Sequence, residues 1–281
     1  MSLVSSPLRY PGGKAKLFPF FAGLIEANNL FGCEYREPYA GGAGLALNLL
    51  AGGFVSRIHL NDIDPGIFAF WRTATRSAEA LCSLVSAAQI SIDEWYRQRE
   101  IWRRPDRHSE IELGFATLYL NRANRSGIIE GAGPVGGYHQ SGALRLDARF
   151  NKRTVIERIQ LVRELAERIS VTNLDALDYI QSSVGDGDLI YLDPPYYVRG
   201  QRLYKNFYNH EDHQRISERV RGLIGNWVVS YDDVVPIRAL YEWATPLQLT
   251  LRYTAGNSAV GREVVFVSPS LRVDATELRV A

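Results

Sequence analysis

Apolar positions change their period three times in the first 65 residues, and each change marks a new element. Over 16–30 they recur at helical spacing behind the turn Pro11-Gly12-Gly13. Residues 34–39 read as a strand, the loop Ala40-Gly41-Gly42-Ala43-Gly44 follows, and 45–51 form a short helix. A second strand over 55–61 ends on the acid Asp62. This β-loop-α-β-acid order is the first half of a doubly wound nucleotide fold.

From Pro65 to Ala123 the pattern is helical, with clear segments at 92–104 and 110–121. A glycine-rich stretch without strand character covers 126–142, and a helix follows over 151–168. Alternation then resumes: strand 170–173, helix 176–183, strand 188–192, helix 211–224, strand 227–231, helix 234–243 and strands 247–252 and 262–268. The last two strands are close enough in sequence to pair antiparallel. The expectation is an α/β protein with about seven strands. Its sheet domain comes in two pieces, 1–65 and 169–281, around a mainly helical insertion at 66–168.

A chain of 281 residues has room for one large α/β domain with such an insertion. The net charge of +1 is uninformative, but its distribution is not. Residues 95–153 hold eleven Lys plus Arg against six Asp plus Glu, so a polyanion would dock there. A solvated helix face would carry the same surplus. Cys33 and Cys82 lack metal-type spacing and are expected as reduced thiols. No apolar run reaches the roughly 18 residues of a membrane span, so a cytoplasmic protein without membrane contact is expected. His210 and His213 sit at a helix start, where exposed imidazoles are common, and no metal is expected. Trp95, Tyr96 and Trp102 are read as helix packing.

Two loops carry candidate chemistry. Gly41, Gly42 and Gly44 let a backbone turn sharply beside a ligand, and Asp62 at the end of the next strand can accept ribose hydroxyls. A plain tight turn, with Asp62 capping the following helix, would use the same residues. A dinucleotide site would want glycine where Leu47 stands, which argues against a dehydrogenase. The second loop, Asp193-Pro194-Pro195-Tyr196, leaves the apolar strand Leu189-Ile190-Tyr191-Leu192. An exocyclic amine is a poor nucleophile because its lone pair is delocalised into the ring. The Asp193 carboxylate and the Pro194 carbonyl, accepting its two protons, would expose that lone pair, and the Tyr196 ring would stack on the base.

Leu8-Arg9-Tyr10-Pro11-Gly12-Gly13-Lys14, Glu37-Pro38-Tyr39-Ala40-Gly41-Gly42 and Asp193-Pro194-Pro195-Tyr196 resemble, in this order, motifs X, I and IV of the Dam-type, alpha-group DNA adenine methyltransferases. The resemblance implies a Rossmann-like class I sheet with a target-recognition insertion between motifs I and IV. It implies S-adenosylmethionine as methyl donor, bound by Tyr10, Lys14, Gly41, Gly42, Asp62, Asp175 and Asp193, with Asp193, Pro194 and Tyr196 at the target base. The partner would be double-stranded DNA, with the target flipped out of the duplex. In the insertion, Arg122, Asn124 and Arg125 are candidates for base or phosphate contact, and Arg149 and Lys152 for tracking the backbone. A monomer acting beside a companion restriction endonuclease fits this family. Cytosine-N4 or RNA adenine methylation stays open at this point, as does a catalytically silent DNA-binding relative.

Overall fold

The computed structural model describes residues 3–9, 13–183, 187–198, 208–252, 260–273 and 277–280. Elements from the first half are α1 (Phe18–Ala27), β1 (Glu34–Glu37), α2 (Gly44–Ala51), β2 (Arg57–Asn61), α3 (Pro65–Arg76), α4 (Ala78–Ala87), α5 (Ile92–Arg103) and α6 (Glu110–Ala123). The second half supplies α7 (Lys152–Glu164), β3 (Ile169–Thr172), α8 (Ala176–Ser183), β4 (Leu189–Leu192), α9 (His210–Arg221), β5 (Asn226–Asp232), α10 (Val235–Leu240), β6 (Pro246–Arg252), β7 (Val260–Val267) and β8 (Glu277–Val280).

The strands form one sheet in the order β3-β2-β1-β4-β5-β7-β6-β8. Its first five members are parallel, and β7 is antiparallel to both β5 and β6. The expected terminal antiparallel pair is therefore present. An eighth strand, β8, lies parallel to β6 and was not expected. Four residues at the end of the chain carry too short a pattern to read as a strand.

Central strands bury both faces, which is why they read as continuous apolar runs. In β4, Leu189 and Tyr191 enter the core on one face, while Ile190 and Leu192 enter the core on the other. In β5 the same alternation sends Trp227, Val229 and Tyr231 to the second face and Val228 to the first. The first core continues into the segment between β2 and β3 through Trp95, Phe115, Tyr119 and Phe150. The sheet and this segment therefore share one apolar interior. No helix among the described residues is long and apolar enough to cross a membrane.

Two expectations about surface position are corrected. His213 is fully buried, its Nδ1 3.2 Å from the Tyr231 hydroxyl, and burial pushes it down to about 4. Asn209 and Asp212 form the capping box of α9, so the helix start itself is exposed while the next turn faces β5. Trp95 and Trp102 are buried as expected, but Tyr96 is half exposed and stacks on Tyr138 at 6.3 Å between centroids.

Candidate active site

Loops leave the C-terminal ends of β1, β2 and β4 on one side of the sheet. Because β1 lies between β2 and β4, the chain moves outward from it in opposite directions, which leaves a crevice at that point. A cleft of about 470 Å³ occupies it, a size typical of small-molecule sites.

The glycine loop forms one wall. Gly41 and Ala43 both have φ of +45°, and for an alanine this left-handed conformation costs about 1–2 kcal/mol. The turn is held against that strain. The Gly41 N–H donates to Asp62 Oδ2 at 2.8 Å, and its carbonyl accepts from Trp71 Nε1 at 2.9 Å. Leu47, where a dinucleotide fold would want glycine, is fully buried in the core.

Asp62 faces the cleft with Oδ1 accepting from the Asp64 N–H at 3.0 Å. Burial, together with the neighbouring Asp64 carboxylate, pushes it up to about 7. The cap of α3 is Asp64, whose Oδ1 accepts from Gly66 and Ile67. Asp62 is thus spared for the cleft. Glu37, also on the cleft wall, is buried, accepts from the Tyr35 hydroxyl at 3.0 Å and is pushed up by burial to about 8.

Asp193 begins the loop after β4. Its Oδ1 meets Lys14 Nζ at 3.0 Å and accepts from Ser230 Oγ at 2.9 Å, and Ser230 is held in turn by the Tyr191 hydroxyl at 2.7 Å. Burial raises the Asp193 carboxyl, while the Lys14 ammonium pulls it down. Beyond it, the N–H groups of Tyr197 and Val198 donate to the Asp232 carboxylate at 2.9 and 3.1 Å, which pins the loop exit to β5. Tyr196 is buried, with its hydroxyl bonded to Lys14 Nζ at 2.8 Å and to Glu263 Oε1.

The remaining wall comes from residues 3–8. Leu3, Val4, Ser5, Ser6 and Leu8 line the cleft, and side chains from three helices clamp this strap. Asn48 exchanges hydrogen bonds with both backbone groups of Val4. Asn121 does the same for Arg9, at 2.7 Å each way, and also donates to the Gly127 carbonyl. Arg122 donates to the Pro7 carbonyl and Arg158 to that of Ser6. Burial and the nearby Arg158 and Arg9 charges push Arg122 down to about 9.

The sequence profile of the D12 class N6 adenine-specific DNA methyltransferases matches residues 10–254. The chain belongs to that family. It is an adenine-specific DNA methyltransferase. Among curated relatives, the Type II methyltransferase M1.LlaDCHI of Lactococcus lactis subsp. cremoris is 23% identical over 216 residues, which is 72% of this chain and 69% of the relative. Solved structures are similar at a low level. A candidate RNA methyltransferase from Pyrococcus horikoshii has 10% identity, 92% coverage of this chain, 82% of its own and a TM-score of 0.41. A conserved hypothetical protein from Streptococcus pyogenes has 12% identity, coverage of 86% and 89%, and a TM-score of 0.34.

In this methyltransferase Lys14, Gly41, Gly42, Asp62 and Asp193 come together on the cleft. Tyr10 lies outside the described residues. Asp175 is exposed and accepts from the Leu177 N–H at 2.8 Å at the start of α8, and its neighbour Ala176 lines the cleft instead. Pro194 is buried beside the cleft, between Asp193 and Pro195. Of the DNA candidates, Arg125 and Arg149 are exposed, and the half-buried Lys152 donates to the Ser86 carbonyl at 2.8 Å. Arg122 holds the strap, and Asn124 is fully buried, accepting from Trp95 Nε1 and donating to the carbonyls of Ile128 and Ile129.

Sequence reasoning missed Trp71, Ser230, Glu263 and the strap. Only Glu263 left a local signal, an acid inside the run Val260-Gly261-Arg262-Glu263-Val264-Val265-Phe266.

Proposed function

We propose that the chain transfers a methyl group from S-adenosylmethionine to the N6 amine of an adenine flipped out of double-stranded DNA, with Asp193 as the acceptor of the amine protons. The observation that carries this reading is the one-sided hold on Asp193. Lys14 and Ser230 both engage Oδ1, and no described residue donates to Oδ2. That oxygen is the one assigned to the amine. Pro194, with no N–H of its own, is assigned the second proton through its carbonyl.

The donor fits the cleft in size and charge. It supplies an electrophilic methyl carbon on a sulfonium centre. Asp64 and Asp193 put carboxylates on the cleft wall beside Lys14 and Arg158, and the raised carboxyls of Glu37 and Asp62 can ionise against a cationic ligand. Asp62 is assigned the ribose hydroxyls, and the glycine loop gives the backbone close approach. The cleft walls orient the two reactants, and positioning supplies most of the rate. An adenine inside a duplex cannot reach so recessed a carboxylate, which supports flipping. Arg125 and Arg149 are the exposed cations assigned to DNA, and Tyr10, Asp175 and Lys152 keep supporting roles in donor or DNA binding. The insertion 66–168 is assigned target recognition. The Type II name of the lactococcal relative supports a companion restriction endonuclease, and the monomer that acts beside it belongs in the cytoplasm with its DNA.

The test is transfer of labelled methyl groups to unmethylated duplex DNA, followed by nucleoside analysis. N6-methyladenine is expected, and Asp193→Ala should abolish it while DNA binding survives. Donor binding without incorporation into any DNA would overturn the enzymatic reading, and N4-methylcytosine or methylated RNA would redirect it.

A further inference from the structure

We propose that Glu263, on β7, is a positioning residue of the methyl transfer: it shares Lys14 with Asp193 and fixes the Tyr196 hydroxyl, so that Asp193 stays a basic acceptor for the amine. This rests on the role given to Asp193 above.

Glu263 is 2% exposed and belongs to the sheet, opposite Asp232 of β5 in register. Its Oε1 accepts from Lys14 Nζ at 3.3 Å and from the Tyr196 hydroxyl. The same ammonium reaches Asp193 Oδ1 at 3.0 Å and the Tyr196 oxygen at 2.8 Å, and stands 4.9 Å from the centre of the Tyr196 ring. Val265, two residues along the same strand and therefore on the same face, is an ordinary member of the apolar core. A branched aliphatic side chain at 263 would serve the fold, and a buried carboxylate is costly even when paired. The acid is explained by what it does to its neighbours.

Lys14 alone with Asp193 would make a neutral pair, and a fully engaged ammonium would weaken the carboxylate as a proton acceptor. With two carboxylates around one ammonium, these three side chains together carry a net charge of −1. Asp193 then keeps negative charge for the amine, and the excess suits a donor with a sulfonium. The charges are consistent with this: Lys14 lowers the Asp193 carboxyl, and Glu263 raises it. Among the described residues, the buried hydroxyls of Tyr191, Ser230 and Tyr35 also face this cluster, and Glu37 acts on Asp193 from β1. Geometry adds a second effect. Tyr196 stands three residues beyond Asp193, so fixing its hydroxyl fixes the loop that carries the carboxylate.

The experiment measures kcat against pH at saturating donor and DNA for the wild type, Glu263→Gln, Tyr196→Phe and the double variant. Calorimetry of S-adenosylhomocysteine binding serves as the folding check. Glu263→Gln is expected to lower kcat at least tenfold and to move the acid limb of its pH profile to lower pH, because the charge that raised Asp193 is gone. Tyr196→Phe keeps the ring but loses the hydroxyl. It is expected to lower kcat with ligand affinity retained, and the double variant should be no worse than Glu263→Gln alone. Unchanged kcat in Glu263→Gln, or a loss with an unmoved acid limb and additive single effects, overturns the proposal in favour of a structural role. Should Glu263→Gln fail to fold, Tyr196→Phe decides by itself, and wild-type kcat in that variant refutes the assignment. Absence of methyl transfer by the wild type is a different result, which strikes the functional reading.

Discussion

Donor affinity should rise with pH across neutrality, and Asp62 should be the reason. Its carboxyl is pushed up to about 7 because the cleft wall desolvates it and Asp64 lies beside it. A carboxylate accepts two ribose hydroxyl protons better than a carboxylic acid does, so binding draws on the ionised form. With a midpoint near 7, about a tenth of Asp62 is ionised at pH 6 and about nine tenths at pH 8. The sign follows directly: binding is weak below the midpoint, strengthens through it and levels above it. The span corresponds to about a tenfold fall in Kd, or ~1.4 kcal/mol. Calorimetry with S-adenosylhomocysteine at pH 6, 7 and 8 measures this. The ligand's own α-amino group titrates at higher pH, so the wild type must be compared with Asp62→Asn, where that contribution is the same. Glu37, pushed up to about 8, faces the same cleft and adds a second step that Asp62→Asn retains and Glu37→Gln removes. Affinity that is flat from pH 6 to 8, or an unaltered slope in Asp62→Asn, would refute the reasoning.

Four further outcomes are expected. Asn121→Leu removes three hydrogen bonds to Arg9 and Gly127 and strands their backbone groups, at a cost of about 2–4 kcal/mol in thermal or denaturant unfolding. Gly127→Ala places a Cβ 2.3 Å from the Arg9 carbonyl oxygen, whereas Gly131→Ala, with nearly the same positive φ, meets nothing within 4 Å. The first should destabilise far more than the second, and equal melting temperatures would remove the close approach as a cause. Arg125→Ala and Arg149→Ala should each reduce the salt dependence of DNA binding by about one unit of log–log slope, with the fold intact. Arg122→Ala should act instead through stability, because its guanidinium is committed to the strap.

What the sequence disclosed and what it concealed divide along sequence distance. Strands β4 and β5 announce themselves through apolar runs a few residues long, and Asp193 is legible because it ends one; β1 and β2 show only alternation, in Glu34-Tyr35-Arg36-Glu37 and Arg57-Ile58-His59-Leu60-Asn61, and Asp62 follows the second. The resemblance in three motifs supplied Lys14, which no periodicity would have selected. Ser230 and Glu263 were hidden because their partners are 37 and 249 residues away, and only the closed sheet brings them together. Trp95 and Trp102, seven residues apart, share the buried face of α5, whereas Tyr96 lies about 100° round the helix and off that face. Helical spacing carried that difference, but the partner on which Tyr96 stacks, Tyr138, lies more than 40 residues downstream. His213 was misplaced for the same reason, since the strand that buries it comes later in the chain.

With the donor and DNA sites placed as proposed, the strap connects the two. Asn121 and Arg122 hold one wall of the donor cleft, and they stand on the last turn of α6, directly before the exposed Arg125. A duplex held at Arg125, as proposed, would therefore pull on the wall around the donor. Coupling of this kind is reciprocal in free energy: by whatever factor DNA tightens the donor, the donor tightens DNA by the same factor. Order of addition would then change the path to the ternary complex and leave its stability untouched. The side chains that would set the coupling factor, Asn121 and Arg122, are bonded to the backbone of Arg9 and Pro7.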